Sequence, residues 1–132
     1  MQWGLCFCAD LIEHTGPQSF TMKDFFLPAF ARGIMHRQND IRQTAIFGIG
    51  VMAMHGGPEY SSTLTDFVPP LVQIAEAPDA ATDENNLCRE NAVSSMTKVS
   101  YFVVACQLTL VLKLYHLISY QAKSVVAPFS DL

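Results

Sequence analysis

The sequence predicts an all-α fold in which antiparallel helix pairs stack on one another. The first observation is a repeat at a shift of 41 residues: His-Thr-Gly-Pro at 14–17 recurs as His-Gly-Gly-Pro at 55–58, and Phe-Leu-Pro at 26–28 recurs as Phe-Val-Pro at 67–69. The second observation is that apolar residues follow helical spacing between these motifs. Because one shift aligns two separate motifs, we infer a structural repeat.

A third copy follows after a longer interval. Arg-Gln-Thr-Ala at 42–45 matches Arg-Glu-Asn-Ala at 89–92, a shift of 47, and the extra residues fall in the polar stretch 78–86. Loops tolerate such insertions. Units of about 40–47 residues are typical of HEAT and armadillo repeats, each a pair of helices A and B. The predicted fold is therefore a HEAT/armadillo-like α-solenoid of about two and a half repeats, followed by a C-terminal apolar helix.

The predicted helices are one B helix without its A partner and then two A–B pairs. Asn39 is predicted to cap the third helix, because an asparagine side chain can accept a hydrogen bond from an unpaired backbone N–H. The predicted buried face of that helix is Ile41, Ala45, Ile49, Met52 and Ala53. The predicted bounds are 2–14 for the lone B helix, 21–35 and 39–55 for the first pair, and 61–77 and 87–99 for the second; 100–132 is a divergent tail, helical to about residue 121.

Proline stands at matching places in the two predicted A helices, as Pro28 and Pro69. Proline inside a helix removes a backbone donor and interrupts or kinks the helix. A shared repeat geometry explains the matching positions, so both prolines are predicted to be structural repeat positions.

The charge of the chain is uneven. Residues 1–99 carry a net charge of −5 and residues 100–132 a net charge of +1. An acidic body argues against direct nucleic-acid binding, which needs basic groups to replace phosphate counterions, and it suits basic protein partners. Half of the residues are hydrophobic, which is too many for a disordered chain.

No residue pattern indicates a catalytic, metal or cofactor site. The four cysteines lack zinc-site spacing and are predicted to be free, reduced thiols, as in the cytosol or nucleus. Gly48-x-Gly50-x-x-Ala53 matches a loose dinucleotide fingerprint, but its glycines lie deep inside a predicted helix, where small residues allow close helix packing. His14 and His55 lie near helix ends, where imidazole can satisfy terminal carbonyl groups. We therefore expect no enzymatic activity.

Residues 101–120 allow three interpretations. The segment is long and apolar enough for a membrane span. However, Lys113 near its middle would cost about 2.5–3.5 kcal/mol on insertion scales. Thr109, Lys113, His116 and Ser119 form a narrow polar stripe. The favoured interpretation is a helix buried against the preceding repeat with this stripe outward; an unstructured segment and a membrane helix are the alternatives.

Three strings resemble the C-terminal half of the importin-beta nuclear transport receptors, in particular the importin-four/importin-five branch. They are Gln-Trp-Gly-Leu-Cys at 2–6, Asp-Leu-Ile-Glu-His at 10–14 and Ile-Arg-Gln-Thr-Ala-Ile-Phe-Gly-Ile-Gly-Val-Met-Ala at 41–53. The resemblance covers about residues 2–99. It ends inside a predicted helix, which suggests a junction in the gene near the Lys98 codon.

The resemblance implies a HEAT-repeat fragment of a receptor that carries protein cargo through nuclear pores. It implies cytoplasmic and nuclear localisation, and as partners cargo with basic import signals, Ran-GTP and FG nucleoporins. It also implies that B helices line the concave face that meets cargo. The candidate binding positions on these helices are Asp10, Glu13, Gln43, Phe47, Glu90 and Ser94.

The family pattern also implies structural residues at the start of each B helix. Arg42 and Arg89 match its arginine, and Asp83 matches an aspartate six residues earlier that joins an Arg/Asp ladder between repeats. His36 stands at the corresponding place in the middle repeat. A generic HEAT/TOG-like scaffold and a small membrane-associated protein are the alternative functions. Because an array this short exposes its ends, we also expect self-association through them.

Overall fold

The computed structural model describes the backbone of residues 2–130 and the side chains of residues 2–123; residues 131 and 132 of the predicted tail lie outside it. The described residues contain helices and no strand. The helices are α1 Gln2–Thr15, α2 Lys23–Ile34, α3 Asn39–His55, α4 Ser61–Thr65, α5 Val68–Glu76 and α6 Asn86–Ser130, with 3-10 segments at Gly16–Met22 and Pro58–Tyr60. The fold is an all-α helical solenoid, as predicted.

The helices form two layers. The B helices α1, α3 and α6 lie side by side, with α3 in the middle and in extensive contact with both neighbours. The A helix α2 packs mainly on α3, and α5 packs on α6. The core between the layers contains Ile12, Phe26, Phe30, Ile46, Ile49, Met52, Leu64 and Leu71, each at most 1% exposed.

The two matching prolines act differently. Helix α2 continues from Lys23 to Ile34 with Pro28 inside it. The second predicted A helix is instead divided into α4 and α5, and Pro69 lies in the first turn of α5. The first turn tolerates proline because its N–H groups have no partner within the helix. Thus Pro69 coincides with an interruption, whereas Pro28 does not.

The repeated turn motifs stack directly on each other. Gly16 and Gly57 both have positive φ angles, 61° and 87°, which glycine adopts without strain. A Cβ atom on Gly57 would lie 2.9 Å from Cβ of Pro17, and one on Gly16 would lie 3.6 Å from the backbone oxygen of His55. The motif repeated in the sequence is therefore an inter-repeat contact.

A buried hydrogen bond continues this contact. The hydroxyl groups of Ser19 and Tyr60, which are 41 residues apart, lie 2.9 Å from each other. The Tyr60 ring is fully buried and meets the edge of Phe20 at a centroid distance of 5.0 Å. Because Tyr60 has its hydroxyl satisfied, it can occupy the core without an unpaired polar group.

We expect the stability of the repeats to fall as the pH rises above about 10, the usual tyrosine pKa, and to fall less in Tyr60→Phe. Burial raises the pKa of Tyr60, and the charge of Glu59 adds to this effect while the Ser19 hydrogen bond opposes it. The folded state therefore keeps a proton that the unfolded state releases, which favours unfolding at alkaline pH. Urea unfolding from pH 8 to 11 checks this; parallel pH profiles for the two proteins would contradict it.

An asparagine and arginine network joins the two A–B pairs. The Arg42 guanidinium donates to the side-chain oxygens of Asn39 and of Asn85, the latter at 3.3 Å. The Asn39 amide donates to the backbone oxygen of Glu84 at 2.9 Å. The prediction that Asn39 caps α3 is wrong: it is the first residue of the helix, and no side chain caps that end. Its side-chain oxygen accepts from Arg42 in the same helix, and its amide donates to the loop of the next repeat instead.

The second arginine makes a more local contact. Arg89 donates to the side-chain oxygen of Asn86 at 2.9 Å, three residues earlier in α6, just as Arg42 donates to Asn39. Asp83 is exposed and is not among the hydrogen-bond partners of either arginine in the described structure. Both arginines therefore bond to an asparagine three residues earlier, and the role of Asp83 in a ladder between repeats stays a prediction.

The glycines of α3 allow neighbouring helices to approach closely. A Cβ atom on Gly48 would lie 2.2 Å from Cε1 of Phe30 in α2, and one on Gly50 would lie 2.9 Å from Oγ of Ser95 in α6. Ser95 is buried and donates to the backbone oxygen of Ile46 at 2.7 Å. The packing interpretation of these glycines is therefore confirmed.

Helix α6 departs most from the prediction. It runs for 45 residues without a break, so the last B helix and the tail are one helix. Val99 is buried, and Phe102 and Val103 still pack against the core. Residues 104–123, named the free segment below, are exposed except for the half-buried Cys106 and Ser119. The prediction that the tail helix is buried against the preceding repeat is therefore wrong, because no surface of the stack extends that far.

By length and composition alone, α6 could cross a membrane. An 18-residue window within Asn86–Lys123 has a mean hydropathy of 1.7, and none of that window is buried.

Candidate protein-binding surface

The three B helices present one side to solvent, which we name the B surface. It is opposite the A layer, because the A helices cover the other side of α3 and α6. All six candidate positions lie on these helices: Asp10, Glu13, Glu90 and Ser94 are exposed, Phe47 is 54% exposed and Gln43 is half-buried. The members of the B surface are Asp10, Glu13, Gln43, Phe47, Met54, Glu90, Ser94 and Tyr101.

The repeat shifts arrange these residues in rows across neighbouring helices. A shift of 41 leads from Glu13 to Met54, and a shift of 47 leads from Met54 to Tyr101. The same shift of 47 relates Gln43 to Glu90 and Phe47 to Ser94. Equivalent positions of adjacent repeats face the same way, so each row runs across the solenoid. The rows place the exposed apolar side chains of Phe47, Met54 and Tyr101, named the apolar strip, next to the acidic groups of Glu13 and Glu90.

Met54 and Tyr101 were missed by the sequence analysis. They are 62% and 80% exposed, although each lies close to the packed core. The repeat alignment could have identified them, because Glu13 was a candidate position and the shifts of 41 and 47 residues lead from it to Met54 and then to Tyr101. Two more exposed aromatic residues, Trp3 and Phe7, lie one turn apart on α1.

Met54 and Tyr101 border a shallow groove between the end of α3 and α6. The groove has a volume of about 470 Å³, and its lining is Ala53, Met54, Thr97, Lys98, Tyr101, Phe102 and Ala105. It is mostly apolar, with Lys98 as its charged member. A groove of this kind can accept an apolar side chain of a bound peptide.

Acidic groups flank the apolar strip on both outer helices. Asp10 and Glu13 lie on α1, and Glu90 lies on α6. Carboxylates at the rim attract lysine and arginine side chains and discriminate against acidic partners. The arrangement suits an extended basic peptide with an apolar or aromatic residue near its middle.

The described residues offer little for catalysis. No cluster of three His, Cys, Asp or Glu side chains among them could hold a metal ion. All four cysteines are free, as predicted, and burial raises the pKa of the Cys8 thiol, which makes it less reactive.

Gly48 and Gly50 lie inside α3 rather than at a helix N-terminus, so they cannot cradle phosphates. The ring of His14 donates to the backbone oxygen of Asp10 at 2.8 Å, a structural role near the end of α1.

The fold and the B surface define an α-solenoid of the class that meets other macromolecules along an extended face. Over 99 residues, 75% of the chain, the sequence is 31% identical to "Importin subunit beta-3" of Saccharomyces cerevisiae. The matched segment spans only 9% of the length of that protein. The repeat segment therefore resembles the importin-beta family. No protein-family model matches the chain.

Proposed function

We propose that this chain is a protein-binding HEAT-repeat segment of an importin-beta-type nuclear transport receptor. The observation that carries the proposal is the 99-residue match to an importin, a length close to that of the stacked repeats. On this proposal the chain binds protein cargo and acts in the cytoplasm and nucleus. Ran-GTP and FG nucleoporins are its further partners, the importin-four/importin-five type is its branch, and catalysis has no part in its function.

We further propose that the B surface binds the basic import signal of the cargo. Phe47, Met54 and Tyr101 would take the apolar part of the signal, because exposed aromatic and methionine side chains supply much of the energy of protein interfaces. Asp10, Glu13 and Glu90 would pair with its lysines and arginines. These pairs lie in water, so each is worth about 0.2–1 kcal/mol, and binding should weaken as salt screens them.

Charge reversal on the B surface should weaken binding of a lysine-rich import-signal peptide. We expect Glu90→Lys to lower affinity about two- to ten-fold, from the loss of attraction and the added repulsion. Phe47→Ala should lower it about ten-fold, because Phe47 is an apolar anchor on this proposal. Fluorescence anisotropy with a labelled peptide, at 50 and 200 mM salt, measures both effects.

Glu76→Lys is the matched control. Glu76 is exposed on α5 in the A layer, so this variant changes the net charge equally without altering the B surface. We expect less than a two-fold effect from it. An equal loss in Glu76→Lys and Glu90→Lys would show that only the net charge matters, and binding that is insensitive to salt would exclude the basic signal as ligand.

A further inference from the structure

The free segment of α6 presents apolar side chains in nearly every direction. Leu110, Val111 and Leu112 are consecutive and are 61%, 60% and 59% exposed. Successive residues of an α-helix are about 100° apart, so these three alone span about 200° of its circumference. Leu108 and Leu114 are also more than half exposed. A helix that is apolar around most of its surface is stable only where apolar material surrounds it.

The dimensions of the segment match a lipid bilayer. The free segment has 20 residues on one unbroken helix, with Tyr101 shortly before it and Tyr120 near its end, and 20 residues correspond to about 30 Å at 1.5 Å per residue. The hydrocarbon core of a bilayer is about 30 Å thick, and tyrosine is enriched at both of its borders. Lys113 is the one charged residue between Tyr101 and Tyr120.

From this geometry we infer that the free segment, which no part of the stack covers, crosses a lipid bilayer and holds the repeats at its surface. The inference goes beyond the proposed function and does not depend on it. Lys113 lies in a stripe with Thr109 and His116, four residues before and three after it. Charged residues within a span face protein or water rather than lipid, so this stripe is the side on which the span meets another helix.

Two other environments fit the segment less well. A second copy paired with it in water would cover one side only and leave the remaining leucines exposed. A helix lying on the membrane surface needs a strongly charged face, whereas the exposed stripe carries one lysine. The body of the chain, residues 1–99, has a net charge of −5, which would be repelled by anionic lipid.

Synthesis of the full chain in the presence of phosphatidylcholine vesicles tests the inference. We expect the protein to float with the vesicles and to remain with them after extraction at alkaline pH in carbonate. Leu110→Arg should reduce the resistant fraction at least ten-fold, whereas Lys113→Leu should increase it. Leu110 is exposed and remote from the core, so its replacement leaves the repeats folded.

Ser100→Arg is the matched control, because it adds the same charge to an exposed position of α6 outside the span. It should leave the resistant fraction unchanged. Release of the wild-type protein by carbonate, or binding that requires anionic lipid, would overturn the inference. A vesicle-free fraction that light scattering shows to be dimeric would also overturn it, in favour of pairing between two copies.

Discussion

Replacing Phe30 with alanine is expected to lower the free energy of unfolding by about 3–5 kcal/mol. The Phe30 side chain is fully buried in α2 and faces Gly48 of α3. Its removal leaves a cavity between the two layers, because the glycine opposite has no side chain to fill it. The total free energy of unfolding of a small domain is about 5–15 kcal/mol, so this one change removes a large share of that stability. Urea unfolding followed by circular dichroism measures the loss.

The same contact predicts that the effect of Gly48→Ala on the free energy of unfolding depends on the residue at position 30. In the wild type the new Cβ atom would lie 2.2 Å from Phe30, and such overpacking costs about 1–3 kcal/mol. In Phe30→Ala the space is free, and alanine should then stabilise α3 by up to about 1 kcal/mol. Gly4→Ala, where nothing lies within 4 Å of the new atom, is the control and should stabilise both backgrounds. An equal effect of Gly48→Ala in both backgrounds would disprove the contact.

The second large effect is expected at Arg42. Hydrogen bonds to a charged group contribute about 1.5–3 kcal/mol, and Arg42 joins the start of α3 to the loop before α6. We expect Arg42→Ala to lower the free energy of unfolding by about 1–3 kcal/mol, and to make the separation of the two repeats easier.

Arg89→Ala is the repeat-matched comparison. Arg89 occupies the equivalent position 47 residues later, but its partner Asn86 lies within the same helix. Its loss should cost less than that of Arg42, because it removes one hydrogen bond within a single helix turn and no bond between repeats. Urea unfolding curves measure the loss of stability in each variant. Hydrogen exchange of the α6 amides then shows whether the second repeat separates more easily in Arg42→Ala than in Arg89→Ala. Equal losses would mean that Arg42 acts only within its own helix turn.

The buried face of α3 could be predicted from the sequence. Ile41, Ala45, Ile49, Met52 and Ala53 were expected inside from their spacing, and all five are buried. The prediction worked because α3 has neighbours on both sides, so each apolar position has something to pack against. The fold class could be predicted for the same reason, since the repeat shifts indicate how the units stack.

The surroundings of α6 could not be predicted in this way. Apolar spacing shows which side chains avoid water, but it does not show whether another element is within reach. Beyond Val103 the stack ends, so the leucines of the free segment have no neighbour among the described residues. The partners of Asn39 and Arg42 were missed for a related reason, because Glu84, which bonds to Asn39, and Asn85, which bonds to Arg42, lie in a loop more than 40 residues away in sequence.

The candidate surface was predictable in part. The exposure of Glu13 and Glu90 followed from their position on the polar side of helices, and the structure places both outside. Met54 and Tyr101 were overlooked because an apolar side chain next to a core is normally assigned to that core. Only the repeat alignment identifies them as surface positions.

The stacked turns at residues 14–17 and 55–58 have an evolutionary consequence. Each glycine lies against the backbone or ring of the other copy, so neither turn can change length or shape by itself. The opposite edge differs in length between the repeats: the connection from α2 to α3 has four residues and that from α5 to α6 has nine. Insertions can therefore accumulate in the connections from α2 to α3 and from α5 to α6. At the edge with the stacked turns the two copies must change together, which explains why their sequences are still similar.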